Sequence, residues 1–331
     1  MIYPPNLLIT NFCNQNCSFC FASAEMQNTS FAKKMSVHDY NSVLNKLSSN
    51  DVPTIKLLGG EPTLHPDFIK LISTALKKFH RVQIFTNGLM SKSMIEKLKK
   101  FENRVQYTFN ILTPGFKNHK TVREQIIYNI IKLNELSANT ISFTVDPFTS
   151  HYTINKLITK DIFNKLHSVR IGLDNPIAGA KNQYLFSDFP NVGRVIELLT
   201  QKIHATNSNI NIHLNCGFTR CMFTNKQYAY LINSSVDIPG WGCFGKKSSM
   251  DVTTELDAFH CFPMSTRYRL KTKGQKIDKI EGKLVLNRFK YWKKIASKVC
   301  IECPFYGLGS GRCPGPCIAF KLNEKRSNES L

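Results

Sequence analysis

Short apolar segments alternate with amphipathic helical segments over residues 1–205 of the chain. Segments rich in β-branched and aromatic residues predict strands at Leu7–Phe12, Ile55–Gly59, Val82–Thr86, Gln106–Ile111, Ile141–Val145 and Val169–Leu173. Helical periodicity predicts helices at Ser36–Leu47, Pro66–Phe79, Ser91–Phe101, Thr121–Leu136, Asn155–Leu166 and Val192–Ile203. Ser91 and Thr121 are the expected N-caps, and Pro66 suits the first turn of its helix. This alternation predicts an α/β fold with a parallel sheet and helices outside it.

Polar and metal-binding residues follow the predicted strands. In sheets of this kind the chemistry lies beyond the carboxyl ends of the strands. We therefore expect one functional face formed by Cys13, Cys17, Cys20, Gly59, Gly60, Glu61, Pro62, Thr86, Asn87, Gly88, Asn110, Asp146 and Asp174.

The pattern changes after about residue 206, where eight of the eleven cysteines lie and long periodic segments become rare. Met250–Phe259 alternates enough to predict a hairpin between Cys243 and Cys261. Gly and Pro become dense towards the C-terminus, which is typical of a small domain organised by metal. We predict a barrel domain over residues 1–205, a cysteine-rich domain over residues 206–322 and a frayed tail over residues 323–331.

Charge and cysteine usage narrow the class of protein. The chain has 331 residues, 42% of them hydrophobic, which suffices for a full core. Its 44 Lys and Arg residues against 23 Asp and Glu residues give a net charge of +21, which favours acidic partners. Neither a signal peptide nor an apolar run of about 18 residues is evident. We therefore expect a cytoplasmic protein with reduced thiols and no membrane partner.

Cys13, Cys17 and Cys20 place three thiols within eight residues, directly after the first predicted strand. Three soft ligands in one loop suit an iron–sulfur cluster or, less well, zinc, and they leave one metal position open. The CxxxCxxC spacing, with Phe19 before the last cysteine, resembles the signature of the radical S-adenosylmethionine (radical SAM) superfamily. Gly59-Gly60-Glu61-Pro62, at the end of the second strand, resembles the GGE motif of that superfamily.

The resemblance implies a partial (β/α)6 TIM-like barrel, a 4Fe–4S cluster held by the three cysteines, and SAM bound to the open iron. Reductive cleavage of SAM would give a 5′-deoxyadenosyl radical that abstracts hydrogen from a substrate. Asp146 is in addition a candidate catalytic residue. A turn or capping role is the plainer alternative for several residues that the resemblance places near SAM. These are Phe19, Gly59, Gly60, Glu61, Thr86, Asn87, Asn110, Asp146 and the backbone of Ile171 and Leu173.

The remaining cysteines resemble the SPASM/twitch extension of radical SAM enzymes, which holds one or two auxiliary 4Fe–4S clusters. The matching Cys–hairpin–Cys and CxxC…CxxxC units consist of Cys243, Cys261, Cys300, Cys303, Cys313 and Cys317. The chain departs from the usual pattern because no cysteine follows Cys317 and Leu256 stands where a glycine is expected. Cys216 and Cys221 lie upstream. We favour both as cluster ligands, with a catalytic hydrogen-donating thiol and a structural thiol as alternatives.

The resemblance favours an enzyme that modifies a ribosomally made peptide by crosslinking, oxidation or epimerisation. Crosslinking and oxidation are slightly favoured, because an auxiliary cluster can accept the electron left on the substrate. One alternative is a radical SAM dehydrogenase or cyclase that acts on a small metabolite. The other is a zinc-stabilised nucleic-acid-binding protein, based on the basic residues 262–299 and their interleaved aromatic residues. No nucleic-acid-binding module is recognisable, so nucleic acid is not the expected partner.

Partners follow from the same observations. Residues 262–299 hold twelve Lys and Arg residues and two acidic residues, which suits either a solvated helix at Leu286–Lys298 or docking of an acidic leader segment. Only twelve residues precede Cys13, so we expect leader recognition by a separate protein or by the C-terminal surface. The resemblance also implies an electron donor such as flavodoxin or ferredoxin.

Overall fold

A computed structural model of the chain describes residues 5–17, 19–27, 33–48, 53–111, 120–163, 166–238, 240–241, 243, 250–309 and 311–329. The strands in these ranges are β1 (Asn6–Thr10), β2 (Thr54–Gly59), β3 (Arg81–Thr86), β4 (Val105–Ile111), β5 (Thr140–Val145), β6 (Ser168–Leu173), β7 (Asn211–Leu214), β8 (Asp251–Val252), β9 (Asp257–Phe259) and β10 (Leu270–Lys271).

The α-helices of the described ranges are α1 (Ser23–Met26), α2 (Val37–Ser48), α3 (Phe68–Ala75), α4 (Lys92–Lys99), α5 (Lys120–Asn134), α6 (His151–Leu157), α7 (Lys160–Phe163), α8 (Phe189–Thr206), α9 (Asn225–Asn233), α10 (Ile277–Lys294), α11 (Lys298–Ile301) and α12 (Ile318–Glu329). Short 3₁₀ turns include Pro62–Leu64, Arg220–Met222 and Phe262–Met264. Of the helices described, none has the length and apolar composition needed to cross a lipid bilayer.

Backbone contacts divide the chain into two compact units. The first unit comprises Met1–Phe109, Glu124–Ala138 and Lys247–Lys290, and the second comprises Asn110–Arg123, Asn139–Lys246 and Tyr291–Leu331. These breaks do not coincide with the predicted boundaries at residues 205 and 322, because β8 returns to the first unit and pairs with β1. The domain boundaries therefore stay a prediction.

The first unit is built on parallel strands. β1, β2, β3 and β4 pair in sequence order, with Leu7 opposite Leu57 and Ile84 opposite Tyr107. β8 joins the other side of β1 in parallel, and β9 and β10 extend that side with antiparallel pairing. Most residues of β1 and β2 are buried, which explains why their sequences are nearly continuous apolar runs.

Amphipathic helices connect these strands, and their boundaries correct two predictions. α4 begins after Ser91, whose hydroxyl accepts a 3.2 Å hydrogen bond from the Met94 amide, so this predicted N-cap is confirmed. α3 begins only at Phe68, after Asp67, so Pro66 precedes the helix instead of occupying its first turn. α5 begins at Lys120, which places Thr121 inside the helix and not at its cap.

The second unit contains the parallel strands β5, β6 and β7, with Ile171 between Phe143 and Leu214. β7 is absent from the sequence-based prediction because its four residues are too few to show a clear alternation. The predicted helix Asn155–Leu166 is divided into α6 and α7, because the Thr159 carbonyl starts a new turn by accepting the Phe163 amide. α8 packs against α6, α7 and α9.

The C-terminal helix departs from the predicted frayed tail. α12 continues to Glu329, past the expected start of the tail at Asn323. The buried Asn323 side chain accepts a 2.7 Å hydrogen bond from the Gly179 amide and donates a 3.0 Å hydrogen bond to the Ile177 carbonyl. These bonds anchor α12 within the second unit.

The predicted hairpin over Met250–Phe259 is confirmed in the first unit. β8 and β9 pair antiparallel, with Asp251 opposite Phe259. Leu256 lies in the turn with a φ of 60°, in the left-handed region that favours glycine. The departure from the usual glycine, noted in the sequence, therefore leaves a strained position in the turn.

Candidate active site

The Cys13 loop, residues Cys13–Cys20, follows β1 and carries the first three thiols. The Cys20 amide donates a 3.2 Å hydrogen bond to the Cys17 carbonyl, and the Ser23 amide donates a 3.0 Å hydrogen bond to the Cys20 carbonyl. Cys13 is exposed, whereas Cys17 and Cys20 are half-buried. Burial, together with the nearby charges of Cys20 and Cys13, raises the pKa of Cys17 to about 11. The three thiols thus face one another closely enough to repel as thiolates, and bound iron would relieve this repulsion.

Gly59 and Gly60 hold the Cys13 loop against the end of β2. The Gly60 amide donates a 2.8 Å hydrogen bond to the Thr10 carbonyl, and the Glu61 amide donates a 2.7 Å hydrogen bond to the Phe12 carbonyl. A Cβ atom on Gly59 would lie 2.2 Å from the Thr10 carbonyl oxygen, and one on Gly60 would lie 2.2 Å from the Phe12 carbonyl oxygen. Both glycines are therefore required by the close approach of two backbones. Their contact with SAM stays a prediction.

The carboxylate of Glu61 is buried and accepts four hydrogen bonds. Its Oε1 atom accepts from the Thr63 amide at 3.2 Å, the Thr63 hydroxyl at 2.8 Å and the Thr86 hydroxyl at 2.8 Å. Its Oε2 atom accepts from the Asn87 amide at 2.8 Å. Burial raises the pKa of Glu61, and these bonds oppose the rise. The structure therefore favours the capping alternative for Glu61, which ties the end of β2 to the end of β3.

Asn87 joins the end of β3 to the Cys13 loop. Its side-chain amide donates a 2.8 Å hydrogen bond to the Asn14 side-chain oxygen, and the Asn14 side-chain amide donates to the Leu89 carbonyl at 2.9 Å. The buried Asn129 side chain supports the following turn by donating to the carbonyls of Gly88 and Met90. No sequence signal identifies Asn129, because it lies within a helix of ordinary periodicity.

A small apolar cluster lies beneath the Cys13 loop in the first unit. The cluster consists of Leu8, Ala22, Leu58, Phe259 and Phe262, and Cys20 packs against it. The half-buried Phe19 stands beside Cys20 in the same loop.

A buried ion pair next to this cluster is not predicted from the sequence. The Glu25 carboxylate in α1 accepts two hydrogen bonds from the Arg269 guanidinium, which lies 244 residues further along the chain. The pair links α1, directly after the Cys13 loop, to the segment that follows the hairpin. Such a partner cannot be found by local spacing.

The other predicted SAM-contacting residues lie in the second unit. Asn110 is half-buried near the end of β4. The Asp146 carboxylate accepts hydrogen bonds from the Phe148 amide at 3.0 Å and the Thr149 hydroxyl at 2.8 Å, as in a turn-forming aspartate. The Ile171 carbonyl accepts the Asn215 amide, and the Leu173 carbonyl accepts the Asn175 side chain. The structure thus gives Asp146 and both carbonyls internal partners, and their predicted contact with SAM remains a prediction.

Asp174 lies at the end of β6 in the same unit as Asp146. Burial, with the charge of Asp146 as a smaller cause, raises the pKa of Asp174 to about 6. The Asp174 carbonyl accepts a 2.7 Å hydrogen bond from the Tyr184 hydroxyl. Two neighbouring carboxylates therefore follow β5 and β6, as the sequence predicts for strand ends.

Four cysteines of the second unit line one cavity of about 400 Å³, which we name the thiol cavity. Aromatic side chains and prolines form much of the remaining wall, and no carboxylate among the described residues lines it. Burial, with the charges of the other three thiols as smaller causes, raises the pKa of Cys300 to about 12. The four thiols are those of Cys221, Cys300, Cys303 and Cys313.

Cys317 belongs to a separate thiol group, although the sequence pairs it with Cys313. Burial and then the charge of Cys243 raise the pKa of Cys317 to about 12, with Cys216 as a smaller cause. The Ala319 and Phe320 amides, in the first turn of α12, oppose this rise. Cys216, Cys243 and Cys317 thus form a second thiol group within the same unit, which we name the Cys317 group.

Cys261 lies in the first unit, directly before the 3₁₀ turn Phe262–Met264. Within the described ranges, no three His, Cys, Asp or Glu side chains stand close enough to bind one metal ion.

Comparison with known proteins identifies a domain in the N-terminal part of the chain. Residues 7–151 match the Radical SAM superfamily. The sporulation killing factor maturation protein SkfB of Bacillus subtilis (strain 168) is 37% identical over 83 residues, which cover 25% of this chain and 20% of SkfB. The antilisterial bacteriocin subtilosin biosynthesis protein AlbA of the same organism is 31% identical over 118 residues, which cover 35% of this chain and 25% of AlbA. The similarity thus spans only a fifth to a quarter of these relatives.

Among solved structures, Streptococcus suis SuiB bound to S-adenosylmethionine superposes with a TM-score of 0.66 and 18% sequence identity. The match covers 91% of this chain and 71% of SuiB, and it concerns the fold alone. Residues 7–151 thus carry a Radical SAM domain. The predicted α/β, TIM-like fold class with a cysteine-rich C-terminal region is confirmed. A Radical SAM domain implies a 4Fe–4S cluster and SAM as cofactors.

Proposed function

We propose that this protein is a radical SAM peptide maturase: it cleaves SAM reductively and abstracts hydrogen from a ribosomally made peptide. The observation that carries the proposal is the Cys13 loop, which places three interacting thiols directly after β1, where the Gly60 and Glu61 amides bond the backbone of Thr10 and Phe12. Three thiolates leave one iron of a 4Fe–4S cluster open.

The residues of the first unit fit such a cofactor. Cys13, Cys17 and Cys20 would hold the cluster. Burial raises the pKa of the Cys13 thiol, and the Asn87 side chain opposes this rise. When bound, a reduced cluster and SAM together supply a 5′-deoxyadenosyl radical for hydrogen abstraction. The chain itself supplies position: two strand-end glycines and the Glu61 carboxylate fix the backbone that carries the thiols. Phe19, Thr86, Asn87, Asn110, Asp146, Ile171 and Leu173 are the proposed contacts of SAM.

The thiol cavity is the proposed site of an auxiliary 4Fe–4S cluster. Four thiols complete a closed ligand set, and a cavity of about 400 Å³ is far larger than a single zinc ion requires. Cys221 supplies the fourth ligand, in place of the cysteine that is missing after Cys317. When bound, such a cluster supplies an electron acceptor. The Cys317 group is a candidate for a further cluster.

A peptide with an acidic segment is the proposed substrate. SkfB is a maturation protein for a killing factor and AlbA serves bacteriocin biosynthesis, which supports a peptide over a metabolite. The lysines of α10 support an acidic partner, because Lys279, Lys283 and Lys290 are exposed on a chain with a net charge of +21. A flavodoxin or ferredoxin is the proposed electron donor, and a separate leader-recognition protein is a further proposed partner.

Anaerobic reconstitution with iron and sulfide tests the proposed chemistry. The wild-type protein should bind about eight or twelve iron atoms per chain. With SAM and dithionite it should form 5′-deoxyadenosine. Cys17→Ala should abolish 5′-deoxyadenosine formation, whereas Ser297→Ala, in the second unit, should not. Zinc without iron, or the absence of 5′-deoxyadenosine from fully loaded protein, would overturn the proposal.

Mass spectrometry of a candidate peptide co-expressed with the enzyme tests the proposed substrate class. Peptides encoded by short reading frames beside the gene are the candidates. A loss of hydrogen mass, or an unchanged mass with an inverted Cα centre, supports the peptide. Co-expression with Cys17→Ala controls for changes that host enzymes make. A fully loaded enzyme that modifies no neighbouring peptide but consumes a nucleotide or sugar would establish the metabolite alternative.

A further inference from the structure

Lys321 is a buried lysine in the first turns of α12. Its exposed fraction is 1%, and Ile318, Ala319 and Phe320 beside it are equally buried. A lysine is almost never fully buried unless its ammonium group has partners, because moving a charge out of water is costly. The ammonium group of Lys321 is thus buried inside the second unit, where it needs polar or anionic partners.

The hydrogen bonds of Lys321 direct it to the backbone that carries the cysteines. Its Nζ atom donates a 3.3 Å hydrogen bond to the Pro314 carbonyl, directly after Cys313. That carbonyl also accepts a 3.0 Å hydrogen bond from the Trp292 indole. Gly315 follows with a φ of 79°, and a Cβ atom there would lie 3.0 Å from the Cys300 Sγ atom. The ammonium group is therefore joined to a segment that touches the thiol cavity.

Cysteine thiols, which become anionic thiolates when they bind metal, are the neighbours of Lys321. Burial lowers the pKa of Lys321, and the charges of Cys243, Cys300, Cys317 and Cys313 oppose this effect. Two of these cysteines line the thiol cavity, and the other two belong to the Cys317 group. Lys321 therefore acts on both sets of thiolates at once. No carboxylate within the described ranges forms an ion pair with it.

We propose that Lys321 is a positioning residue for the auxiliary centre: its buried ammonium compensates the negative charge of the thiolate-bound cluster and raises the reduction potential of that cluster. The inference rests on the auxiliary cluster proposed above. One-electron reduction adds a negative charge to the cluster, so a fixed positive charge stabilises the reduced form more than the oxidised form. Net charge and solvent exposure are known determinants of such potentials.

The test is an EPR-monitored redox titration with dithionite in the absence of SAM. All proteins carry Cys13→Ala, Cys17→Ala and Cys20→Ala, so that only auxiliary signals remain. Lys321→Met and Lys321→Gln remove the charge, Lys321→Arg keeps it, and Lys160→Met is a control at an exposed lysine of the same unit. We expect a lower midpoint potential for Lys321→Met and Lys321→Gln. We expect unchanged values for Lys321→Arg and for Lys160→Met.

Iron content and circular dichroism are measured on every variant. If Lys321→Met does not fold, Lys321→Gln decides, because it retains a hydrogen-bond donor for the Pro314 carbonyl. A fully loaded Lys321→Gln protein with the midpoint of its parent overturns the inference alone. A parent protein without iron overturns the proposed auxiliary centre, and the inference with it. A shift in both Lys321→Arg and Lys321→Gln would assign the effect to packing, and would also overturn the inference.

Discussion

The Cys13 loop and the thiol cavity are built in opposite ways. The Cys13 loop takes its three thiols from eight consecutive residues, and one of the thiols is exposed. The thiol cavity takes its four thiols from separated segments of the second unit, and two of them are buried. A local loop with three ligands leaves room for a molecule on the metal, whereas a dispersed set of four closes the site.

The difference extends to how each site is supported. Backbone hydrogen bonds and the Glu61 carboxylate hold the Cys13 loop to three parallel strands. Around the thiol cavity, the buried Lys321 donates a hydrogen bond to the Pro314 carbonyl, and the chain turns at Gly315 next to Cys300. The Cys13 loop is thus held by the ends of neighbouring strands, whereas the thiol cavity is held by contacts among its own segments. The following predictions test this contrast.

The largest expected effect is the loss of iron from the thiol cavity. Cys313→Ala and Cys221→Ala should each remove about four iron atoms per chain after anaerobic reconstitution, since each breaks the same closed ligand set. The double variant should lose no more than either single variant. 5′-Deoxyadenosine formation should persist in all three, because the Cys13 loop is intact. The measurements are the number of iron atoms per chain and the amount of 5′-deoxyadenosine formed. Wild-type iron content in Cys221→Ala would show that Cys221 is not the fourth ligand.

Glu61→Gln should destabilise the first unit by about 1–3 kcal/mol. The reason is that the glutamine NH₂ group would face a hydroxyl or amide group of Thr63, Thr86 or Asn87 that now donates a hydrogen bond to the carboxylate. Urea unfolding measures the change in the free energy of unfolding. Glu96→Gln is the matched control, since Glu96 forms only an exposed pair with Lys99, and it should change stability by less than about 0.5 kcal/mol. Equal changes in the free energy of unfolding for the two substitutions would show that the Glu61 carboxylate does not stabilise the strand ends beside the Cys13 loop.

Asp251 should make stability depend on pH in the opposite sense to an ion-paired carboxylate, whose pKa is lowered on folding. Burial raises its pKa to about 7, although the Asn6 side chain and the Lys56 charge oppose the rise and Glu25 adds to it slightly. The unfolded chain, with an ordinary pKa of about 3.9, binds fewer protons between these values. The contribution of Asp251 to stability is therefore largest below pH 4 and is lost as the pH rises to about 7.

An asparagine side chain cannot ionise, so Asp251→Asn should not lose this stability. The melting temperature of the variant minus that of the wild type should therefore increase as the pH rises from 5 to about 8. Asp278→Asn, at an exposed position, is the control and should follow the wild type. Thermal unfolding at several pH values measures both. A constant difference between Asp251→Asn and the wild type would show that Asp251 does not titrate in this range.

The smallest expected effect concerns the hairpin turn. Leu256→Gly should stabilise the protein or leave it unchanged, because glycine relieves a left-handed φ that costs a side-chain-bearing residue about 1–2 kcal/mol. Leu185→Gly, at an exposed position with a φ of −113°, should destabilise slightly through chain entropy. Thermal unfolding of the two variants measures the difference, and a large loss of stability in Leu256→Gly would show that its side chain packs.

The sequence alone is enough to predict the Cys13 loop, because three thiols, a strand and a glycine pair follow one another at short range. It also predicts β1 to β4, whose buried positions are largely apolar. It is not enough to predict β7, which has four residues, or the Glu25–Arg269 ion pair, whose members lie 244 residues apart. Such features depend on tertiary packing, which local periodicity does not contain.

The grouping of the C-terminal cysteines shows the same limit. The CxxxC spacing pairs Cys313 with Cys317. In the structure, however, Cys313 lines the thiol cavity, whereas Cys317 belongs to the Cys317 group. A helix begins directly after Cys317, so the chain turns between the two thiols. Sequence spacing therefore finds the candidate ligands, whereas the fold decides which thiols lie together.

The central claim is that one chain holds an open cluster site and a separate closed one. The direct measurement is the iron content of the Cys13→Ala, Cys17→Ala, Cys20→Ala triple variant after anaerobic reconstitution, together with its 5′-deoxyadenosine yield from SAM and dithionite. The account predicts at least about four iron atoms per chain and no 5′-deoxyadenosine. A folded triple variant that holds no iron, or one that still forms 5′-deoxyadenosine, would contradict it.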